Sequence, residues 1–305
     1  MVGSIVATAI ALTTVAYQTV HDNLDREARS RVRIAAQSRA DAVSRLVSGQ
    51  QQRAQRFISS TAAVCGELKP SGETAWEPTC IRAALQEFRT TERATGAVLL
   101  SGTRRVTGTG RPIRLDTPRP TGLAVLERGP NGTLYYVIRA AVSQAAVLIE
   151  FPVADFVPFF DDSSSFGEGE VLLRDANGLF LTPARFAAGE TPPGAHAIEA
   201  THSCFDRPTE IRDIDYRGVD TIHGMHPVAG FAQTTCVDAH IPVEEALMPA
   251  EALLNVLVGR SAIFVLLGLV LGLMASRWLA APVLRLAASA RALQDGDFER
   301  PIPID

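Results

Sequence analysis

The sequence predicts an α+β protein: a long stalk helix and two small modules of antiparallel sheet and helix, flanked by two membrane-spanning helices. Three observations carry this. Val2–Val20 and Ser261–Ser276 are free of charged side chains. The stretch from Asp22 to about Ala63 holds no proline and one glycine, Gly49. Between Cys80 and Ile241, short β-prone runs alternate with turn-forming pairs such as Asn177-Gly178 and Arg217-Gly218. Composition agrees, because 305 residues with 47% apolar and 20% charged side chains can build packed domains. A net charge of −4 excludes an electrostatic nucleic-acid binder, which needs a basic excess. Of the 29 basic residues only Lys69 is lysine, beside Pro70 in a loop, so arginine must do any cationic work.

Residues 1–20 read as the first membrane helix. Nineteen uncharged residues, Val2 to Val20, nearly span a hydrocarbon core of roughly 30 Å. A cleaved signal peptide is the alternative, although a basic start and a small-residue cleavage site are lacking. Residues 253–278 read as the second span, bracketed by Arg260 and Arg277. Arg277, Arg285 and Arg291 follow it while Glu244, Glu245 and Glu251 precede it, so the positive-inside bias puts the C-terminus in the cytoplasm and residues 21–252 outside. The four cysteines, Cys65, Cys80, Cys204 and Cys236, all lie in that outer segment, where disulfides persist. Of three connectivities, Cys65–Cys80 with Cys204–Cys236 closes the shorter loops. Small residues at four-residue spacing, Gly268, Gly272 and Ser276 in one span and Gly3, Ala7 and Ala11 in the other, suit contact within the chain or between two copies.

Residues 21–66 form the stalk. Leu24, Ala28, Val32, Ala35, Ala42 and Leu46 recur at helical steps, and this small stripe suits packing against another helix. Pro70, Gly72 and Pro78 end it. The first module, residues 67–154, holds a helix over Cys80–Arg93, a strand over Ala97–Leu100, a Pro-, Gly- and Arg-rich stretch from Ser101 to Thr133, and a hairpin of Leu134–Ala141 with Ala145–Phe151. The second, residues 155–252, opens with a short aromatic helix at Phe156–Phe160. Hairpins follow at Val171–Arg174 with Leu179–Thr182 and at Ile211–Tyr216 with Val219–His223, then a strand over Ala232–Ile241.

The run Gly169-Glu170-Val171-Leu172-Leu173-Arg174-Asp175-Ala176-Asn177-Gly178 resembles the "G-x-V-x-L-x-D-x-x-G" hairpin of double Cache sensors. Asp215-Tyr216-Arg217-Gly218-Val219 followed by Pro227-Val228-Ala229-Gly230 is similar to that family's "D-Y-R-G-V…PV-x-G" signature. Cys236 departs from it, standing where the family commonly has an apolar residue. The motifs cover about residues 166–250; the layout covers 22–250. Residues 279–305 resemble the first helix and connector of a HAMP relay domain, through Pro282, Leu286, Ala290, Leu293 and Gly296-Asp297-Phe298. The resemblance implies two PAS-like Cache modules, the first membrane-distal, and a signal receptor of the bacterial inner membrane with a periplasmic sensor region. Its implied parent is a sensor histidine kinase, with a diguanylate cyclase or chemoreceptor as alternatives. The absence of a second HAMP helix makes the chain read as part of a longer protein.

No phosphate loop, nucleophile elbow or zinc-protease helix occurs, so no catalytic residue, cofactor or metal is assigned; a membrane-anchored extracytoplasmic enzyme is the rival reading. His223 and His226 point to opposite faces of a strand, which disfavours shared metal ligation. Charge is more informative. Residues 96–150 carry seven arginines against three acidic side chains, whereas residues 155–251 carry five basic against seventeen acidic. A basic first module suits a small anionic ligand. On its hairpin, Tyr135 and Arg139 share a face and form the candidate pocket pair, with Tyr136 on the opposite face as a weaker candidate. Expected partners are this ligand, membrane lipid and a second copy of the chain in a homodimer.

Overall fold

A computed structural model describes residues 2–68, 74–161, 167–185 and 207–294. The chain divides into two compact units, residues 26–246 and, separately, residues 1–25 with 247–305. In order, the elements are α1 (Val2–Cys65), β1 (Gly66–Leu68), β2 (Thr74–Trp76), α2 (Pro78–Thr91), β3 (Gly96–Ser101), β4 (Arg104–Gly110), β5 (Ala124–Arg128), β6 (Leu134–Val142), β7 (Ala145–Pro152), a 3-10 turn (Val153–Phe159), β8 (Glu170–Asp175), β9 (Thr209–Ile214), β10 (Asp220–Pro227), β11 (Thr235–Pro242) and α3 (Val243–Gln294).

Within residues 26–246, two antiparallel sheets carry the core. The first has order β4-β3-β7-β6-β5 and the second β8-β11-β10-β9. β4 and β5 fall inside the Pro-, Gly- and Arg-rich stretch from Ser101 to Thr133, where no strand was expected. Both are edge strands, β4 reading Arg-Arg-Val-Thr-Gly-Thr-Gly, and an edge needs little apolar character. The central strands β3 and β7 are buried along nearly their whole length. The Leu179–Thr182 strand reduces to a single bridge, Arg174 to Phe180.

The two predicted turns share one chemistry. Asp175 Oδ1 accepts hydrogen bonds from the backbone N–H of Asn177 and Leu179, each at 2.8 Å. Asp215 Oδ1 does the same for Arg217 at 2.8 Å and Val219 at 3.1 Å. Gly178 and Gly218 take φ of +77° and +80°, the left-handed backbone that closes each turn.

From residue 26 onward, the buried stripe of α1 runs through Ala28, Val32, Ala36, Ala40, Val43, Val47, Gln50, Ala54 and Ile58. This corrects the predicted seam: Ala35, Ala42 and Leu46 are only half-buried, because the stripe sits one residue further round the helix. It packs on the sheets, while its far end also meets α2, with Phe57 against Phe88 at 4.5 Å between ring centroids and Arg53 donating to Glu92 at 2.6 Å. Ser44 Oγ accepts from the Ala229 N–H at 3.0 Å, and Gln55 donates to the Ala141 carbonyl at 3.1 Å. Small side chains allow the close approach, and a Cβ on Gly224 would meet Val32 carbonyl carbon at 2.7 Å.

The β1–β2 hairpin and α2 are tied to the end of α1 by a Cys65–Cys80 disulfide. Cys236 is also disulfide-bonded. Cys204, its expected partner, lies outside the described residues.

In the other unit, α3 holds the one stretch among the described residues long and apolar enough to cross a membrane, Val243–Ala288. Ile10, Thr13, Thr14 and Tyr17 of α1 face Leu254, Val258 and Val265 of α3 across an apolar groove. Ideal Cβ positions on Gly268 and Gly272 meet nothing within 4 Å, so the glycine stripe is not used for contact within the described chain. Pro282 does not open a new helix as expected; it lies inside α3, which runs on to Gln294. Gly296 and Asp297 lie outside the described residues.

Candidate functional site

The outer face of the five-stranded sheet, opposite the face that meets α1, carries a cleft of about 280 Å³. Register places Tyr135 of β6 opposite Glu127 of β5, and Val137 opposite Glu150 of β7, so these side chains share that face. Arg111, which directly follows β4, lies over the Tyr135 ring with its guanidinium carbon 3.9 Å from the centroid. Gly129 makes room for this stacking: a Cβ there would stand 2.2 Å from a terminal nitrogen of Arg111 and 3.0 Å from the Tyr135 ring. Arg114, Arg128, Pro112 and Ile113 complete the lining, and Ile113 belongs to a buried apolar cluster with Val98, Leu100, Val137, Ala146 and Leu148.

The polar groups of the cleft are unevenly satisfied. Arg119 is buried and donates to Glu127 at 2.7 Å. Glu150 is buried; Thr95 donates to it at 2.8 Å, while Arg111 Nε stands 3.8 Å away. Burial pushes the Glu150 carboxyl above its ordinary value, and the Thr95 hydroxyl and Arg111 only partly oppose this. Nη1 of Arg111 is buried with no hydrogen-bond partner among the described residues. A buried donor on a cation, next to a carboxylate and an aromatic face, can hold a ligand carboxylate on one side and an ammonium on the other.

Of the residues singled out from the sequence, Tyr135 lines the cleft. Tyr136 does not: it is fully buried on the opposite face, stacked on Phe151 and Phe156, with its hydroxyl donating to Gln50 of α1 at 2.7 Å. Burial pushes its phenol far above the ordinary range. Arg139 shares the sheet face of Tyr135 but is held elsewhere, donating to the Arg119 carbonyl at 3.1 Å. Arg111, Gly129 and Glu150 were missed. The excess of arginine was the available signal, but only folding of the 101–133 stretch selects which arginine meets Tyr135.

The four-stranded sheet carries a second polar cluster on its face turned away from α1. His223 and His240 are directly opposed across β10 and β11, and Glu170 of β8 is opposite His240. His223 Nδ1 is 3.0 Å from Asp238 Oδ1, and Arg174 donates to Asp238 Oδ2 at 2.7 Å. Tyr216 donates to Glu170, and Arg217 pairs with Asp215 at 2.6 Å. Burial would raise the carboxyls of Asp238 and Glu170. Their partners outweigh it: His223, His240 and Arg174 hold Asp238 far below its ordinary value, and His240 with Tyr216 lowers Glu170. His226, as expected, does not join His223; its Nδ1 lies 3.0 Å from the Pro227 carbonyl oxygen.

No protein-family model and no curated protein matches the chain. Solved structures match its fold. The ligand-binding domain of the Pseudomonas fluorescens chemoreceptor CtaA, in complex with L-isoleucine, is 15% identical over 75% of this chain and 98% of that domain, with a TM-score of 0.50. Its complex with L-leucine gives 15%, 74%, 99% and 0.50. The extracellular domain of rpHK1S-Z16, a protein assigned as a histidine kinase, is 11% identical over 71% of this chain and 95% of that chain, at 0.50. The stalk helix and paired antiparallel sheets described above are therefore the Cache-like fold of receptor ligand-binding domains.

Proposed function

We propose that this chain is the input region of a membrane signal receptor, in which the cleft of the five-stranded module binds a small molecule carrying a carboxylate. The observation that carries the reading is the Arg111 guanidinium, stacked on Tyr135 beside buried Glu150 with a buried donor unspent. The excess of arginine supports an anionic group, and Glu150 adds a site for an ammonium. Since CtaA was solved with L-isoleucine and L-leucine, α-amino acids are the first class to test. In this reading residues 1–20 and 253–278 cross the inner membrane, residues 67–154 form the distal module and 155–252 the proximal one, and the segment from Pro282 passes a displacement to a HAMP-like relay in a homodimer. The parent protein is a histidine kinase or chemoreceptor. A ligand shifts such a receptor only by binding its two states unequally, so the cleft must differ between them.

The test is calorimetric titration and thermal shift of the full chain in detergent against L-amino acids and dicarboxylates. Saturable binding is expected. Arg111→Ala and Gly129→Ala, the latter displacing Arg111 from Tyr135, each weaken it by at least about tenfold. Arg212→Ala, which removes an exposed ion pair with Asp220, leaves it unchanged. Absence of binding at millimolar ligand, or undiminished affinity in both cleft variants, would sink the proposal.

A further inference from the structure

The buried cluster on the four-stranded sheet is separate from the cleft and has its own chemistry. His223, Asp238 and His240 each bring one donor atom to within 4.8 Å of the others, and all three side chains are buried. His240 is 1% exposed, yet neither ring nitrogen makes a hydrogen bond among the described residues. Its Nε2 stands 3.3 Å from Glu170 Oε1 and 3.7 Å from Asp215 Oδ2, contacts of ion-pair length that do not make hydrogen bonds. A buried imidazole normally has a partner for each nitrogen that can use one. We infer that His223, Asp238 and His240 form a binding site for a divalent transition-metal ion of the zinc class, with its fourth coordination position toward Glu170.

Charge, geometry and surroundings support this. Glu170, Asp215 and Asp238 face the cluster against Arg174 and Arg217, leaving one net negative charge when both imidazoles are neutral. The 3.0 Å between His223 Nδ1 and Asp238 Oδ1 is near the roughly 3.3 Å edge of a tetrahedral site with zinc-ligand bonds. The His240 donor atom lies within 4.8 Å of the other two and closes on the ion to complete the site. Two imidazoles select zinc, cobalt or nickel over calcium and magnesium, which take oxygen donors.

The groups behind the ligands are already arranged. Thr221 Oγ lies 2.7 Å from His223 Nε2 and donates to the Asp213 carbonyl at 3.0 Å. With metal on Nδ1, the Nε2–H donates to Thr221, whose own proton goes to Asp213, so every donor in the chain is used. Arg174 occupies Asp238 Oδ2 and leaves Oδ1 to the ion. Sequence position hid the site because its ligands come from two strands: His223 pairs with His240 across the sheet, not with His226 along it.

The test uses the full chain, untagged and in detergent, with Co²⁺ and Zn²⁺ as probes. One equivalent of Co²⁺ is expected to give tetrahedral absorption bands that Zn²⁺ abolishes, and zinc X-ray absorption should show two imidazole nitrogens. His223→Gln and His240→Gln abolish binding, and His226→Gln leaves it intact. Replacing a buried imidazole also challenges folding, so Thr221→Val serves as the gentler variant and weakens Zn²⁺ by about tenfold or more. Proton competition makes affinity fall as pH drops through the histidine range. A chain that binds neither ion at about 100 μM, far above the dissociation constants of structural zinc sites, a zinc spectrum lacking imidazole, or binding that survives both histidine replacements would overturn the site.

Discussion

Both sheets turn one face to the stalk and carry carboxylates with arginines on the other, yet the two outer faces behave differently. In the five-stranded module Glu150 meets Arg111 at 3.8 Å; in the four-stranded module Asp238 meets Arg174 at 2.7 Å and His223 at 3.0 Å. Burial works against ionisation in both. His223 above all, then His240 and Arg174, reverse the outcome: Glu150 is pushed up and Asp238 held down. At Asp238 protein partners take both carboxylate oxygens, whereas at Glu150 the longer contact leaves Arg111 with a buried donor unspent. The difference teaches where to look for sensing.

The largest expected effect breaks the tight side. Asp238→Ala strands Arg174 and His223 in the interior and should cost about 3–5 kcal/mol. Arg111→Ala, removing a longer pair at a partly open rim, should cost less than about 1 kcal/mol. Denaturant unfolding of the full chain, with hydrogen exchange to locate the loss, checks both; equal losses would erase the contrast. Next is Tyr136→Phe, which leaves the buried Gln50 carbonyl unpaired and should cost about 1–3 kcal/mol without changing ligand affinity. A selective affinity loss would restore Tyr136 to the site.

The smallest effect is in acid. Asp238 and Glu170 have depressed values, so their stabilisation is full above the ordinary 3.8 and 4.5 and is lost as pH falls below them. Glu150 has the opposite sign: its contribution is full below 4.5 and is lost as pH rises through its elevated value. Glu150→Gln should therefore stabilise the chain slightly at pH 7 relative to pH 4. A melting series over that range checks the sign, and a uniform shift would contradict it.

Elements with strong local signals were legible. The stalk, α2, the β6–β7 hairpin and the two Asp-to-Gly turns follow from periodicity and turn chemistry, although α2 begins at Pro78, two residues before the expected start. Edge strands β4 and β5 were not, since pairing to β3 and β6 rather than composition makes them strands. Tyr135 was visible by alternation; its partner was not, because Arg111 is 24 residues away in the chain and reaches it only when the first sheet forms.

The sequence alone therefore determined the long helices at either end with a strand-forming region between them, the confinement of all four cysteines to residues 65–236, and an arginine-rich stretch over residues 96–150, because each is a matter of composition or short spacing. Tertiary structure alone decided which arginine lies on Tyr135, that Tyr136 belongs to the core, and that His223 meets His240. Those outcomes depend on strand register and on which sheet face α1 covers, and both are set by contacts between residues far apart in the chain.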